Sequence, residues 1–482
     1  MKRTGDEYFD SEEFHELLTE YEHSVETGEP VFLDVDALSE IADYYHFTGR
    51  YDQAENAITL ALSLSPGAIA PLTYRIHEAL WNGKTEEAKV YLSRIVETNE
   101  LDYVYDKAEI MIAEERVDEA DAYFLEILER LPEEDRQDYI FDVANIFQDY
   151  SYSEKSMEWT LRAKQEDTPE FKELMARNLF GVGRYKESER IWGELIDSDP
   201  FSKHYWNALA SAQFMNEDYS SSVQSSEYAI AIDPDDPDGL LQKANGLYYL
   251  LNFEEALKYY RRYSSQKPDD EQGLLHQGVC LVNLGRHKEA IEVLNKALEV
   301  ALSRDPDDES PHTGDIYQEL SFAYSEEKDT EKAMEMIEKA HEFDGDSVQT
   351  ELVKGHIMLA SGKMQDAEEF FRRAVLLSDT PNQTLLRVIV SLYDNHYLEA
   401  AYTMFKKFFK VVEETPSATE CNDGYAYMAL CCYDMKRLDE FLSYLKIACE
   451  RNPRECQVAL SHLFPVDVDP KDYYNYIKDR LP

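Results

Sequence analysis

GRYDQAENAITLALSLSP, residues 49–66, is echoed by GRYKESERIWGELIDSDP at 183–200 and by GRHKEAIEVLNKALE at 285–299. Aligned on the first alanine of the opening phrase, the echo becomes a ladder. It runs Ala54, Ala88, Ala120, Ser156, Ser188, Ser222, Ala256, Ala290, Ala333, Ala367, Ala400 and Phe441, in steps of 34, 32, 36, 32, 34, 34, 34, 43, 34, 33 and 41 residues. Seven residues behind it stand Ala61, Ile95, Ile127, Ala163, Leu195, Ala229, Tyr263, Ala297, Ala340 and Ala374, with Ala448 in the last unit. Five residues further on, Pro66, Pro132, Pro200, Pro234, Pro268 and Pro453 close their units. A chain of 482 residues would ordinarily divide into three or four domains. A fixed period near 34 points instead to a repeat array.

Inside one unit the apolar residues keep a helical period. Leu38, Ile41, Ala42 and Tyr45 fall at i, i+3, i+4 and i+7, one face of a first helix. Gly49 is placed to end that helix in the left-handed conformation. Tyr51, Ala54, Ile58, Ala61 and Leu62 form the stripe of a second helix, which stops before Pro66. The small residue on the second helix allows the two axes to approach where they cross.

These residues resemble the tetratricopeptide repeat, a 34-residue helix-turn-helix unit, over roughly residues 35–454. The sixth unit shows it in Trp206, Leu209, Ala210, Tyr219, Ala229 and Pro234, and the seventh in Ala244, Phe253, Ala256, Tyr260 and Pro268. The resemblance implies an all-α, right-handed superhelical solenoid of about twelve antiparallel helix pairs. Residues 1–34 would cap one end, through a helix near Glu12–Val25, and residues 455–482 the other, through Glu455–Leu463 and Asp469–Leu481. There are departures. Ser156 stands where alanine is usual, and Lys407 where the second small residue belongs. Extra residues near 300–314 and 413–424 predict a break or kink in the stack.

Composition narrows the function. Apolar residues make up 43% of the chain and aromatics 12%, enough to fold it almost throughout. Against 98 acidic residues stand 48 basic ones, a net charge of −50, which repels phosphate backbones and argues against nucleic acid as a partner. The amino terminus lacks the apolar stretch of a secretory signal, and no window has the ~20 apolar residues of a membrane span, so a cytoplasmic protein without membrane insertion is expected. In that setting the sequon at Asn382–Thr384 has no meaning. Five of the six cysteines, Cys421, Cys431, Cys432, Cys449 and Cys456, crowd the last repeat without a CxxC pair and are expected to be buried thiols rather than a metal site.

No catalytic constellation is visible, and no cofactor or metal is expected. DPDDPDG at 233–239 resembles a calcium loop, but Pro234 stands where its first ligand belongs; an inter-repeat turn whose aspartates cap the next helix is expected. GKT at 83–85 lacks the upstream glycine of a phosphate loop, with Glu78 in its place, and GVG at 181–183 lies between helices, not after a strand. The twelve histidines form no HExxH and no serine sits in GxSxG. KKFFKVV at 406–412 could dock an acidic helix or a membrane surface, but reads more simply as a second helix whose lysine stems cover apolar neighbours.

In the family that these repeats resemble, positions 2, 5, 9 and 12 of each first helix line the ligand wall. That register picks out Tyr105, Phe141, Asn145, Gln148, Arg177 and Phe180 in units three to five, and His204, Asn207, Phe214, Asn245 and Tyr248 in units six and seven. Rings interspersed with amides suit an extended peptide, the amides reaching its backbone. The two-lysine, two-asparagine, one-arginine clamp for chaperone tails is absent at these positions. The expected function is a non-enzymatic interaction scaffold holding a basic or neutral protein segment in its concave groove. The rivals are an RNA-binding helical repeat, an enzyme or regulatory subunit with its site in the cysteine-rich carboxy-terminal region, and a self-associating solenoid.

Overall fold

The computed structural model describes residues 6–9, 11–28, 33–164, 168–303, 312–345, 347–414, 422–465, 468–478 and 480. The helices group into two compact units, residues 1–198 and 199–482. The first holds α1 (Asp6–Phe9), α2 (Glu12–Thr27), and the pairs α3–α4 (Val35–Phe47, Tyr51–Leu64), α5–α6 (Ile69–Trp81, Thr85–Leu92), α7–α8 (Leu101–Ala113, Val117–Arg130), α9–α10 (Arg136–Asp149, Ser153–Thr160) and α11–α12 (Pro169–Gly181, Tyr185–Ser198). The second begins with α13–α14 (Lys203–Met215, Tyr219–Ile232), α15–α16 (Pro237–Tyr249, Phe253–Gln266), α17–α18 (Glu271–Asn283, His287–Leu302) and α19–α20 (Thr313–Glu326, Thr330–Asp344). It continues with α21–α22 (Ser347–Ala360, Met364–Leu377), α23–α24 (Pro381–Asp394, Leu398–Glu414) and α25–α26 (Tyr425–Asp434, Leu438–Arg451), then α27 (Pro453–Leu460) and α28 (Tyr473–Ile477). Among the described residues there are no strands.

Every pair turns in the same way. Gly49, Gly83, Glu115, Ser151, Gly183, Glu217, Leu251, Gly285, Lys328, Gly362, His396 and Lys436 all have positive φ. In each turn the next amide donates back to a carbonyl in the last turn of the first helix, as from Arg50 to Tyr45 at 2.7 Å and from Asn252 to Leu247 at 2.9 Å. This satisfies a carbonyl that the helix end would leave orphaned. Seven of the twelve turns bend through a residue with a Cβ, which disfavours that conformation. Glu115 is exposed with φ 63°. Glu115→Gly is therefore expected to stabilise the first unit by about 0.5–1 kcal/mol, read as a higher denaturation midpoint.

The ladder residues Ala54, Ala88, Ala120, Ser156, Ser188, Ser222, Ala256, Ala290, Ala333 and Ala367 are all fully buried where each second helix crosses its first. The serines are not defects. Ser156, Ser188 and Ser222 donate their hydroxyls to the carbonyls of Ala144, Ala176 and Ala210 at 2.6, 2.8 and 2.8 Å, so each polar atom is paired inside the crossing. Two details depart from the sequence reading. In α24 it is Ala401, not Ala400, that is fully buried, and its amide bonds to Tyr397 as the Ala54 amide does to Arg50. That shift puts buried Phe408, rather than Lys407, at the second ladder position. In α4, Tyr51 is 64% exposed and leans on His46, and Ala57 joins the buried stripe instead.

One hairpin cannot cover its own apolar face, so each packs on the next. Within the second unit α14 packs on α15, α16 on α17 and α18 on α19; within the first, α4 packs on α5, α6 on α7 and α8 on α9. The stack continues on both sides of the two insertions, α18 against α19 and α24 against α25. Residues 304–311 and 415–421, on which the expected kinks fall, lie outside the described residues. First helices also lie beside first helices, α3, α5, α7, α9 and α11 in the first unit and α13, α15 in the second, then α17, α19, α21 and α23. Each unit thus presents a wall of first helices.

Candidate functional site

The wall of the first unit is spent on internal pairing. His77 on α5 points Nε2 between Asp106 Oδ1 and Glu109 Oε2 of α7, each 3.4 Å away. Thr73 donates to Asp106 at 2.7 Å, and Tyr150 to Glu109 at 3.1 Å. Both carboxylates are buried. Burial opposes the charged imidazolium, but Glu109 and Asp106 outweigh it and hold the His77 pKa up at about 10. Next along the wall, Tyr105 donates to Asp142 at 2.8 Å, and Arg177 to Asp149 at 2.9 Å.

The wall of the second unit opens into a cleft of about 380 Å³ across α15, α17 and α19. Asn245, Tyr248 and Tyr249 come from α15, Gln272, Leu275, His276 and Val279 from α17, and Asp315 and Glu319 from α19; Tyr260 of α16 and His312 complete the lining. Tyr260 donates to Asn245 Oδ1 at 2.7 Å and stacks on His276, centroids 5.1 Å apart. His276 Nδ1 is 2.8 Å from the Gln272 carbonyl, and burial holds its pKa below the ordinary value, so the ring is neutral. Glu319 keeps part of its surface open to the cleft but is enclosed on its other sides. Burial, with Asp315 beside it, raises its carboxyl to about 7. Tyr248 stands edge-on to Tyr249 and Phe253, at 5.7 and 5.4 Å.

Sequence profiles of the tetratricopeptide repeat match residues 35–67, 174–237 and 270–345. The chain is a tetratricopeptide-repeat protein. Protein FlbA of Caulobacter vibrioides is 31% identical over 115 residues, 24% of this chain and 19% of FlbA, so the match spans under a fifth of that relative. Among solved structures, a tetratricopeptide repeat protein from Parabacteroides merdae is 13% identical with a TM-score of 0.41, covering 50% of this chain and 92% of that one. YrrB, described as a TPR protein with an unusual peptide-binding site, is 20% identical with a TM-score of 0.33, covering 38% and 90%. MamA from Desulfovibrio magneticus is 17% identical with a TM-score of 0.32, covering 36% and 94%.

In this tetratricopeptide-repeat protein the wall residues expected from the sequence differ in what surrounds them. Tyr105 is buried, stacked on Tyr139 with centroids 5.8 Å apart, and presents almost nothing to a ligand. Phe141, Asn145, Gln148, Arg177 and Phe180 are half-buried; Asn145 donates to the Phe141 carbonyl, Gln148 keeps a buried, unpaired Oε1, and Phe180 packs on Tyr185. On α13, His204 is exposed and Phe214 packs edge-on to Tyr219 and Tyr249. Only Asn245 and Tyr248 of that set line the cleft. Carried on to α17, the same register reaches Gln272, Leu275 and Val279, which do line it; Tyr260, on a second helix, lies outside any first-helix rule.

Asn207 has a structural duty. It donates to Asp236 at 2.7 Å, and Asp236 in turn caps α15 by accepting the Gly239 amide at 2.9 Å while Lys203 lies 3.1 Å away. The 233–239 stretch is thus a capping turn, as the sequence indicates. Asn207→Asp would set a second carboxylate against this cap. It is expected to cost on the order of 1–3 kcal/mol at neutral pH through repulsion between the two, with the loss recovered as pH falls below about 4. Denaturant melts at both pH values measure it.

The remaining motifs are absorbed by the fold. Gly83 and Gly183 are hairpin turns. In KKFFKVV, Phe408 and Phe409 are buried, Phe409 stacking on Tyr425 at 4.2 Å, and Lys406 lies 3.2 Å from Glu440. Cys280, Cys431, Cys432, Cys449 and Cys456 are buried free thiols, and burial pushes Cys280 to about 12 and Cys431 to about 11; Cys421 lies outside the described residues. Among the described residues no group of His, Cys, Asp and Glu is arranged to hold a metal ion, and no helix is long and apolar enough to cross a membrane.

Proposed function

We propose that this chain is a non-enzymatic scaffold that holds a protein segment against the first-helix wall of its second unit. The observation that carries the reading is the cleft over α15, α17 and α19, lined by rings, two amides and two carboxylates. Rings give an extended chain apolar area, and Asn245 and Gln272 offer amides to its backbone. The acids favour a basic segment. The net charge of −50 speeds encounter with such a partner and disfavours RNA.

A photo-crosslinking residue at Val279 in the cleft, compared with one at Leu376, exposed on α22, tests this in cells. Adducts at Val279 that protease removes and nuclease does not are expected. Nuclease-sensitive adducts, or adducts only at Leu376, would replace the reading with an RNA-binding or outer-face one.

A further inference from the structure

Resting on that scaffold reading, we infer that the cleft between α15, α17 and α19 is a subsite for one basic side chain, a lysine or arginine, of the bound segment. The argument begins with Glu319. Among the described residues no donor or cation lies against its carboxylate, and its near neighbours are Asp315 and the Tyr248 ring. A carboxylate enclosed on most sides and left unpaired is costly, and the cheapest remedy from outside is an ammonium or guanidinium delivered into the same space.

The walls suit that guest. Tyr248, Tyr249 and Tyr260 line the cleft, and ring faces attract cations. Neutral His276 offers no competing positive charge. The rim already holds one cation from the chain itself: the Arg454 guanidinium of α27 lies 5.6 Å from the Tyr219 ring centroid and 5.8 Å from that of Tyr249, with Glu217 3.5 Å away. Tyr249 also lines the cleft, so this tyrosine surface accepts guanidinium where geometry brings one. An acidic side chain would meet Asp315 and Glu319, and an apolar one would leave Glu319 uncompensated.

Random dodecapeptides selected on the immobilised full chain supply the probes. Each lysine of the selected peptides is then replaced by norleucine and each arginine by citrulline. One position is expected to stand out, its replacement weakening binding about tenfold, the strength of a single charge-assisted contact. That difference should vanish on Glu319→Gln, while binding of the neutral peptide is unchanged. Peptides that are displaced by Val279→Trp yet show no such position would overturn the cation subsite and leave the scaffold standing. Peptides unaffected by Val279→Trp would overturn the wall itself, and the subsite with it. Thermal melts of both variants confirm that each remains folded.

Discussion

His77→Ala is expected to destabilise the first unit by about 3–5 kcal/mol, the usual consequence of removing one partner from a buried charge pair. The imidazole is the cation between Asp106 and Glu109, which are 1% and 8% exposed. Without it two carboxylates face each other out of water, and the variant would take up a proton before it unfolds. In the wild type burial holds Asp106 above the ordinary carboxylate range while His77 keeps Glu109 below it; without the imidazole both buried carboxyls rise, and the pair shares the proton. The pH dependence has a definite sign. The folded pKa of His77, about 10, lies above the ordinary 6.5, so its contribution is fully present below pH 6.5 and is lost as pH rises through about 10. Denaturant melts of the wild type and His77→Ala should therefore converge as pH is raised from 6.5 to about 10. The triple variant His77→Leu, Asp106→Asn, Glu109→Gln should recover much of the loss, because it removes the charges together. A His77→Ala protein as stable as the wild type at pH 6 would show that the cluster is solvated.

Trp159→Ala is expected to cost about 3–5 kcal/mol, as large-to-small changes at buried aromatics do. The ring is fully buried, edge-on to Phe124 and Tyr139 with centroids 6.2 and 6.3 Å away, and its Nε1 donates to Asp121 at 2.8 Å. These partners come from α8 and α9, so the one side chain of α10 ties two hairpins together. The substitution opens a void and also strips Asp121 of a donor, leaving Lys155, 2.8 Å away, to compensate it. Trp159→Phe, which keeps most of the ring and loses the hydrogen bond, should cost markedly less. Equal losses for the two variants would mean that the Asp121 bond, not packing, sets the stability of this interface.

The hairpins are legible in the sequence because their determinants are local. A small residue at every crossing but the last, a reversal every 34 or so residues and, in six units, a closing proline are printed in the chain, and Leu38, Ile41, Ala42 and Tyr45 are buried as their spacing requires. Seven left-handed turns are harder to see, since Glu115, Leu251 or Lys436 give no glycine signal and are forced into place by the helices on either side. Residue type cannot separate Ala400 from Ala401, both being small; only the turn hydrogen bond does so. The wall is legible in register but not in use. Offsets along a helix place Tyr105 and Asn207 on it, yet Asp142 and Asp236, far along the chain, engage them there. Tyr260 reads in the sequence as a repeat position and not as part of the wall, and Glu319 carries no signal because its importance lies in what surrounds it: in so acidic a chain one more glutamate does not stand out.

The most direct measurement is a crystal structure of the full chain with a selected lysine- or arginine-bearing peptide. The account predicts peptide density along α15, α17 and α19, with one basic side chain entering between Tyr248 and Glu319. Density along the second helices instead, or a cleft that stays vacant beside a bound peptide, would contradict it.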